Sequence, residues 1–118
     1  MTFDEIRALD EQYVMHAYGR FPVALDHGKG ATVWDVDGRE YIDFTAGIGV
    51  NALGYADEGW VNAITEQAGK LGHISNLFYA EPYVKAAEKL CRKAGMSNVF
   101  FANSGAESNE GLIKLARK

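Results

Sequence analysis

The residues best suited to chemistry lie near the C-terminal end of the sequence, where an apolar run meets a turn of small and polar residues. Residues 99–102 are apolar and have the length of a buried strand, and residues 103–105 then break the run. Ser104 and Glu107 have the S-x-x-E spacing of a capping box, in which each side chain accepts a hydrogen bond from a backbone N–H at the start of a helix. The pattern therefore predicts a strand, a tight turn and a helix in direct succession.

Such a turn is suited to binding a phosphate group. The first N–H groups of a helix have no partner inside the helix, and the helix dipole adds partial positive charge at that end. Gly105 has no side chain that would hold an anion away from its backbone. We expect Gly105 and Ala106 to donate their backbone N–H groups to a phosphate, with the Ser104 hydroxyl as a third donor. The alternative on these residues alone is a capped helix that binds no ligand.

The other side chains that could carry chemistry are scattered. Cys91 is the only cysteine and falls on the apolar side of a predicted helix, which favours a buried structural thiol over a nucleophile. Three histidines share no metal-ligand spacing, so we expect no metal site: His16, His27 and His73. Of the seven lysines, the first lies in a predicted turn and the rest on predicted helices: Lys29, Lys70, Lys85, Lys89, Lys93, Lys114 and Lys118.

Composition excludes several classes of function. The 118 residues are one domain's worth of chain, and 47% hydrophobic residues can build a core. The net charge of −4 and the scattered basic residues argue against a nucleic-acid partner. No apolar run approaches the roughly 18–20 residues that a membrane span needs. Asp4 and Glu5 lie where a signal peptide would be basic, so we expect a cytoplasmic protein.

The first part of the chain, residues 1–72, is predicted to contain a helix and a small antiparallel hairpin subdomain. Thr2 and Glu5 form a possible capping box for a helix over residues 2–15. Asp37-Gly38 is a strong two-residue hairpin signal. The predicted strands and the first turn follow in order: strand 23–25, turn 27–30, strand 31–36 and strand 39–44.

Two loops join the predicted elements. Residues 45–55 are apolar and glycine-rich without helix or strand periodicity, which indicates either a segment running close to a ligand or a buried connector. Residues 72–79 are rich in aromatic and polar groups. There Phe78 and Tyr79 could act as core anchors.

The remaining elements are helices and one strand. A helix over 58–71 has Asp57 as its N-cap, and a helix over 81–94 ends at Gly95. Apolar residues at helical spacing are expected to face inward: Val61, Ile64, Ala68, Leu71, Val84, Ala87, Leu90, Cys91 and Ala94. Residues 73–118 then read as the start of a larger α/β domain whose first strand is 98–102.

Two blocks of this sequence resemble the class III aminotransferases. The stretch Asn103-Ser104-Gly105-Ala106-Glu107 resembles the family's phosphate-binding segment, and residues 43–54 resemble a second family block. The similarity is closest to the acetylornithine/ornithine aminotransferase branch and covers only the N-terminal portion of such an enzyme. It implies a pyridoxal-phosphate (PLP)-dependent transferase-like α/β fold, of the aspartate aminotransferase superfamily, with a hairpin subdomain before the large mixed-sheet domain. Departures from the family's common pattern occur at Tyr55 to Glu58, Ser108 and Gly111.

The resemblance also implies an activity. Its members bind PLP and move an amino group from N-acetylornithine, or a related ω-amino substrate, to 2-oxoglutarate in arginine biosynthesis, as homodimers. By the same resemblance Gly47, Ile48 and Val50 line the substrate pocket, while Phe78 and Tyr79 lie at its entrance. The lysine that holds the cofactor, its acidic partner and the carboxylate-binding arginine correspond to positions beyond Lys118. We therefore expect an incomplete part that is inactive alone. The alternatives are a non-catalytic module that binds a phosphate-bearing ligand and an interaction fragment.

Overall fold

The computed structural model describes all residues from Met1 to Lys118, and they form two units, Met1–Gly72 and His73–Lys118. The first unit carries three strands and three helices, which run in the order α1 Phe3–Tyr13, β1 Leu25–Lys29, β2 Thr32–Asp35, β3 Glu40–Ile42, α2 Ala46–Gly49 and α3 Glu58–Leu71. The second unit carries two helices, α4 Glu81–Ala94 and α5 Gly105–Ala116.

The three strands form an antiparallel sheet in the order β1-β2-β3. Lys29 lies opposite Thr32 in the first pair, and Val33 lies opposite Tyr41 in the second. The predicted hairpin turn at Asp37-Gly38 is confirmed, with Gly38 at a φ of +80° that suits glycine. The hairpin subdomain of the sequence prediction is therefore present.

The first strand differs from its prediction. The sequence predicted a strand at 23–25 and a turn at 27–30, whereas β1 continues to Lys29 and the chain reverses around Gly30, which has a φ of +59°. The His27 ring stacks on the ring of Trp34 across the strand pair, with centroids 5.0 Å apart. Cross-strand ring contact of this kind stabilises strand pairing, and it extends β1 through residues that read as a turn.

Local capping sets the helix ends, as predicted. The Thr2 hydroxyl accepts the Glu5 N–H at 3.3 Å, and the Glu5 carboxylate accepts the Thr2 N–H at 2.9 Å, which completes the capping box of α1. The Asp57 carboxylate caps α3 by accepting the Trp60 N–H at 2.8 Å. Gly95 ends α4 in the left-handed conformation, with a φ of +66°.

The predicted strand 98–102 does not form in this structure. A strand is defined by pairing, and the only sheet present is the three-stranded one of the first unit. Residues 99–102 are apolar, as a buried strand requires, but the second unit contains no strand with which they could pair.

The predicted inward-facing residues of α3 and α4 are not buried. Val33 and Asp35 are the only buried residues, at 4% and 5% exposure, and neither helix contains one. Cys91, expected to be buried, is partly exposed. Within each unit no other helix or strand packs against α3 or α4, and the contact made by α4 with its own unit includes the edge-on packing of the Tyr83 and Phe101 rings, 5.0 Å apart. No helix has both the length and the apolarity that a membrane span requires.

Candidate cofactor and substrate sites

The turn before α5 has the geometry that its sequence predicted. Ser104 is extended, with φ −149° and ψ +161°, and its side-chain oxygen accepts the Glu107 N–H at 3.2 Å. The Ser104 carbonyl accepts the Ser108 N–H at 3.0 Å. Helix α5 therefore begins at Gly105 with a fixed N-cap.

The Glu107 carboxylate differs from the predicted capping box in one contact. It accepts the N–H of Asn103 at 2.6 Å, one residue earlier than the reciprocal bond of a capping box would require. The carboxylate thus fixes the turn that precedes the cap. Its negative charge in the first turn of α5 is stabilised by the helix dipole.

Three hydrogen-bond donors at the start of α5 remain available to a ligand. The N–H groups of Gly105 and Ala106 have no acceptor in the protein. The Ser104 hydroxyl accepts one bond and keeps its own hydrogen to donate. A Cβ placed on Gly105 would meet no atom within 4 Å, so the space in front of the turn is open. This donor set fits a phosphate group such as that of PLP.

The second candidate region is the loop that follows β3. Four consecutive residues have left-handed φ values, namely Ala46 at 45°, Gly47 at 57°, Ile48 at 59° and Gly49 at 85°. A non-glycine residue in this region costs roughly 1–2 kcal/mol, and a β-branched one is a genuine outlier. Ile48 is 97% exposed and Val50 84% exposed, so the loop directs apolar side chains outward. The sequence predicted an irregular segment here, and the short element α2 is a strained turn and not a regular helix, because Gly47 and Ile48 have non-helical backbone angles.

Asp43 holds this loop, and sequence reasoning missed it. Its Oδ1 accepts the Thr45 hydroxyl at 2.6 Å, the Thr45 N–H at 2.7 Å and the Ala46 N–H at 3.1 Å. Its Oδ2 accepts the Tyr55 hydroxyl at 2.8 Å. The hydrogen bonds from the Thr45 and Tyr55 hydroxyls lower the pKa of Asp43 to about 2. The Asp-x-Thr spacing, which favours a local turn, was the available signal.

Tyr55 closes the other end of the loop against the first hairpin turn. Its N–H donates to the Gly30 carbonyl at 2.8 Å, and its carbonyl accepts the Gly30 N–H at 2.9 Å. A Cβ on Gly54 would lie 2.9 Å from the Gly30 oxygen, and a Cβ on Gly28 would lie 2.6 Å from the Tyr55 ring. Both glycines are therefore required for this close approach. Between loop and turn lies a cleft of about 320 Å³.

The predicted substrate residues of the second unit lie in a short turn. Phe78 donates its N–H to the Ser75 carbonyl at 3.1 Å. Phe78 is 70% exposed and Tyr79 98% exposed, so neither is a core anchor within this unit. No group of three His, Cys, Asp or Glu side chains in the structure is placed to share a metal ion.

Comparison with known proteins identifies the family. The family described as Aminotransferase class-III matches residues 13–118. The acetylornithine aminotransferase of Haemophilus ducreyi is 55% identical over 118 residues, which are all of this chain and 30% of that protein. The crystal structure of acetylornithine aminotransferase from Elizabethkingia anophelis superposes with a TM-score of 0.93 at 36% identity, over 99% of this chain and 30% of that one.

A third neighbour is solved with a cofactor. The taurine:2-oxoglutarate aminotransferase from Bifidobacterium kashiwanohense was solved in complex with PLP and glutamate. It superposes with a TM-score of 0.89 at 32% identity, over 99% of this chain and 28% of that one. The chain belongs to the class III aminotransferases, which use PLP. The predicted family and fold class are thus confirmed, and the chain spans about 30% of the length of the curated relative and the two solved structures described above.

Proposed function

We propose that these residues are the N-terminal part of a PLP-dependent aminotransferase that moves an amino group from N-acetylornithine to 2-oxoglutarate. The proposed setting is arginine biosynthesis in the cytoplasm, with the enzyme acting as a homodimer. The observation that carries the proposal is the open donor set of Ser104, Gly105 and Ala106 in a chain 55% identical to an acetylornithine aminotransferase. Related ω-amino donors, such as ornithine, 4-aminobutyrate and succinyl-diaminopimelate, remain alternatives for the substrate.

The turn before α5 supplies cofactor binding. Gly105 and Ala106 would donate two backbone N–H groups and Ser104 its hydroxyl to the phosphate of PLP, while the dipole of α5 stabilises the phosphate charge. When bound, PLP provides the electron sink for amino-group transfer. The protein's part in this region is to hold the phosphate and so fix the position of the cofactor.

The substrate side of the proposal rests on exposed apolar side chains in two loops. Ile48 and Val50 project from the left-handed turn, and Gly47, between them and the sheet in the chain, has no side chain, with the Asn51 amide 3.2 Å from where a Cβ would lie. Phe78 and Tyr79 offer two aromatic surfaces in the second unit. Apolar walls of this kind would contact the aliphatic part of an amino donor.

The lysine that holds the cofactor is proposed to lie outside these 118 residues. The cations of Lys85 and Lys114 pair with carboxylates one helical turn away on exposed helix surfaces. Such pairs are typical of a solvated helix face and not of a reactive amine. The chain by itself is therefore proposed to be inactive.

The direct test is a glycine substitution in the full-length protein. Gly105→Val should abolish PLP retention, because the new side chain would occupy the open space where the phosphate binds, yet it meets no protein atom within 4 Å. Gly69→Val is the matched control, since Gly69 is also a helical glycine with open space around its Cβ position. Cofactor absorbance after desalting measures retention, and circular dichroism checks the secondary structure.

Assay of the wild-type protein with N-acetylornithine and 2-oxoglutarate tests the reaction itself. Formation of glutamate is the expected result. Normal PLP retention by Gly105→Val would contradict the phosphate site, and absence of glutamate with every ω-amino donor would contradict the aminotransferase assignment.

A further inference from the structure

The loop over residues 44–54 is closed by a single side-chain contact between its flanking residues. Asp43 precedes the loop and Tyr55 follows it, 12 positions later, and their side chains meet at 2.8 Å. Asp43 is also fixed to the sheet, because its N–H donates to the Ala31 carbonyl at 2.8 Å. Tyr55 is fixed to the turn between β1 and β2 through its two backbone bonds to Gly30, which precedes Ala31. The loop therefore has both ends on one edge of the hairpin.

Closure is needed because the loop stores strain. Ala46 and Ile48 occupy the left-handed region at φ values of 45° and 59°, and left-handed residues of this kind persist only where the surroundings over-determine them. Inside the loop, few backbone bonds are made: the N–H groups of Val50 and Asn51 both donate to the Ala46 carbonyl, that of Ile48 to Thr45 and that of Gly54 to Asn51. The Asp43 carboxylate adds side-chain restraints at Thr45, Ala46 and Tyr55, and the Tyr55 hydroxyl also hydrogen-bonds with the Asn51 side chain.

The strained turn at residues 46–49 makes no sheet pairing and contains no buried residue. Ile48 and Val50 are almost fully exposed, and neither lines the cleft beneath the loop. A costly conformation that buries nothing is best explained by what its exposed side chains contact. In the proposed enzyme, that contact is with the amino donor.

We propose that Asp43 and Tyr55 are positioning residues for the amino donor: their hydrogen bond closes the loop and holds Ile48 and Val50 in the orientation in which they contact the substrate. This inference rests on the proposed function. It assigns no chemical step to either residue, since both act through the loop.

The test compares two tyrosines in the full-length, PLP-loaded enzyme. Tyr55 and Tyr41 each donate a hydroxyl to an aspartate Oδ2 at 2.8 Å, but Tyr41 does so within the hairpin, to Asp35. Tyr55→Phe removes the loop contact and keeps the ring against Gly28, while Tyr41→Phe removes the same chemical group away from the loop. Any general effect of losing a tyrosine–aspartate bond should appear in both variants.

Only Tyr55→Phe should change the handling of the donor. We expect its KM for N-acetylornithine to rise about threefold to tenfold, the range that one net hydrogen bond accounts for, with kcat little changed. The KM for 2-oxoglutarate serves as a second substrate readout. Tyr41→Phe should leave the KM for the donor at the wild-type value, although both variants should melt at a lower temperature.

Amide hydrogen exchange makes the test independent of turnover. Amides within residues 45–54 should exchange faster in Tyr55→Phe and not in Tyr41→Phe. Equal KM values for donor in both variants, or unchanged exchange of the loop in Tyr55→Phe, would overturn the inference. A wild-type enzyme without transamination would instead overturn the proposed function and the assignment to a donor site, while the exchange data would still decide whether the contact holds the loop.

Discussion

Two aspartates at strand ends of the same sheet make nearly the same contacts but fix different segments of the chain. Asp35 at the end of β2 and Asp43 after β3 each accept backbone N–H groups from the next few residues and a tyrosine hydroxyl at 2.8 Å. The Asp35 contacts reach no further than Tyr41, six positions on, whereas Asp43 reaches Tyr55, twelve positions on. The first closes a tight turn and the second closes a loop.

Asp35 and Asp43 also differ in burial and in the charges beside them. Asp35 is 5% exposed, and the Arg39 guanidinium lies 3.4 Å from its carboxylate. Burial raises its pKa, but hydrogen bonds from the Arg39 N–H, the Tyr41 hydroxyl and the Asp37 N–H, with the Arg39 charge, lower it overall. Asp43 has no cation beside it and depends on neutral donors alone.

Similar local chemistry thus stabilises the fold at Asp35 and a candidate site at Asp43. The turn held by Asp35 ends at Gly38, whose left-handed φ suits glycine, so it stores little strain. The loop held by Asp43 forces Ala46 and Ile48 into the left-handed region and exposes its apolar side chains. Strain combined with exposure is therefore the feature that marks the second region as a candidate site.

The largest effect should separate two glycines with the same φ. Gly38 and Gly54 both have a φ of +80°, but a Cβ would meet nothing at Gly38 and would lie 2.9–3.1 Å from the Gly30 backbone at Gly54. Gly38→Ala should cost about 1 kcal/mol of unfolding free energy, and Gly54→Ala about 3 kcal/mol or more. Urea unfolding of the full-length protein measures both. Equal losses would show that the close approach at Gly30 is not needed.

A smaller effect should appear on acidification. The folded pKa of Asp43 is about 2 against an ordinary value of 3.8, so its stabilising contribution is complete above pH 3.8 and is lost as the pH falls towards 2. Asp43→Asn should flatten this part of the stability curve. Titration of the carboxyl carbon by ¹³C NMR measures the pKa directly, and an ordinary value near 3.8 would contradict the hydrogen bonding described for Asp43.

The smallest effect should come from relieving the strain at Ala46. Ala46→Gly removes a left-handed cost of roughly 1–2 kcal/mol and adds about 0.4–1 kcal/mol of unfolded-chain entropy. A slight rise in melting temperature is therefore expected. The equivalent strain does not exist in the Asp35 turn. A clear fall in melting temperature would mean that the Ala46 methyl group makes contacts that outweigh its backbone strain.

The sequence was most informative where the determining contacts are local. Thr2 with Glu5, Asp57 and Gly95 each set a helix end through groups at most four residues apart, and all were predicted. The contact between Asp43 and Tyr55 could not be predicted, because it depends on where the hairpin places two residues twelve positions apart. Strand pairing is non-local in the same way.

Two errors in the fold prediction have this origin. Strand β1 extends to Lys29 instead of ending at residue 25, and the stacking of His27 on Trp34 that accompanies this extension could not be seen from sequence patterning around a glycine. Residues 98–102 have strand-like composition, but pairing needs a second strand, and the second unit contains none. In the candidate cofactor site, by contrast, Ser104 and Glu107 were recognisable since they act within four residues.

In the proposed enzyme, PLP is held by a lysine outside residues 1–118. Borohydride reduction of the natively isolated protein, followed by peptide mass analysis, tests it most directly. We predict one reduced phosphopyridoxyl group on a lysine outside residues 1–118. A protein without any adduct, or with the adduct on one of the seven lysines in this sequence, would contradict the account.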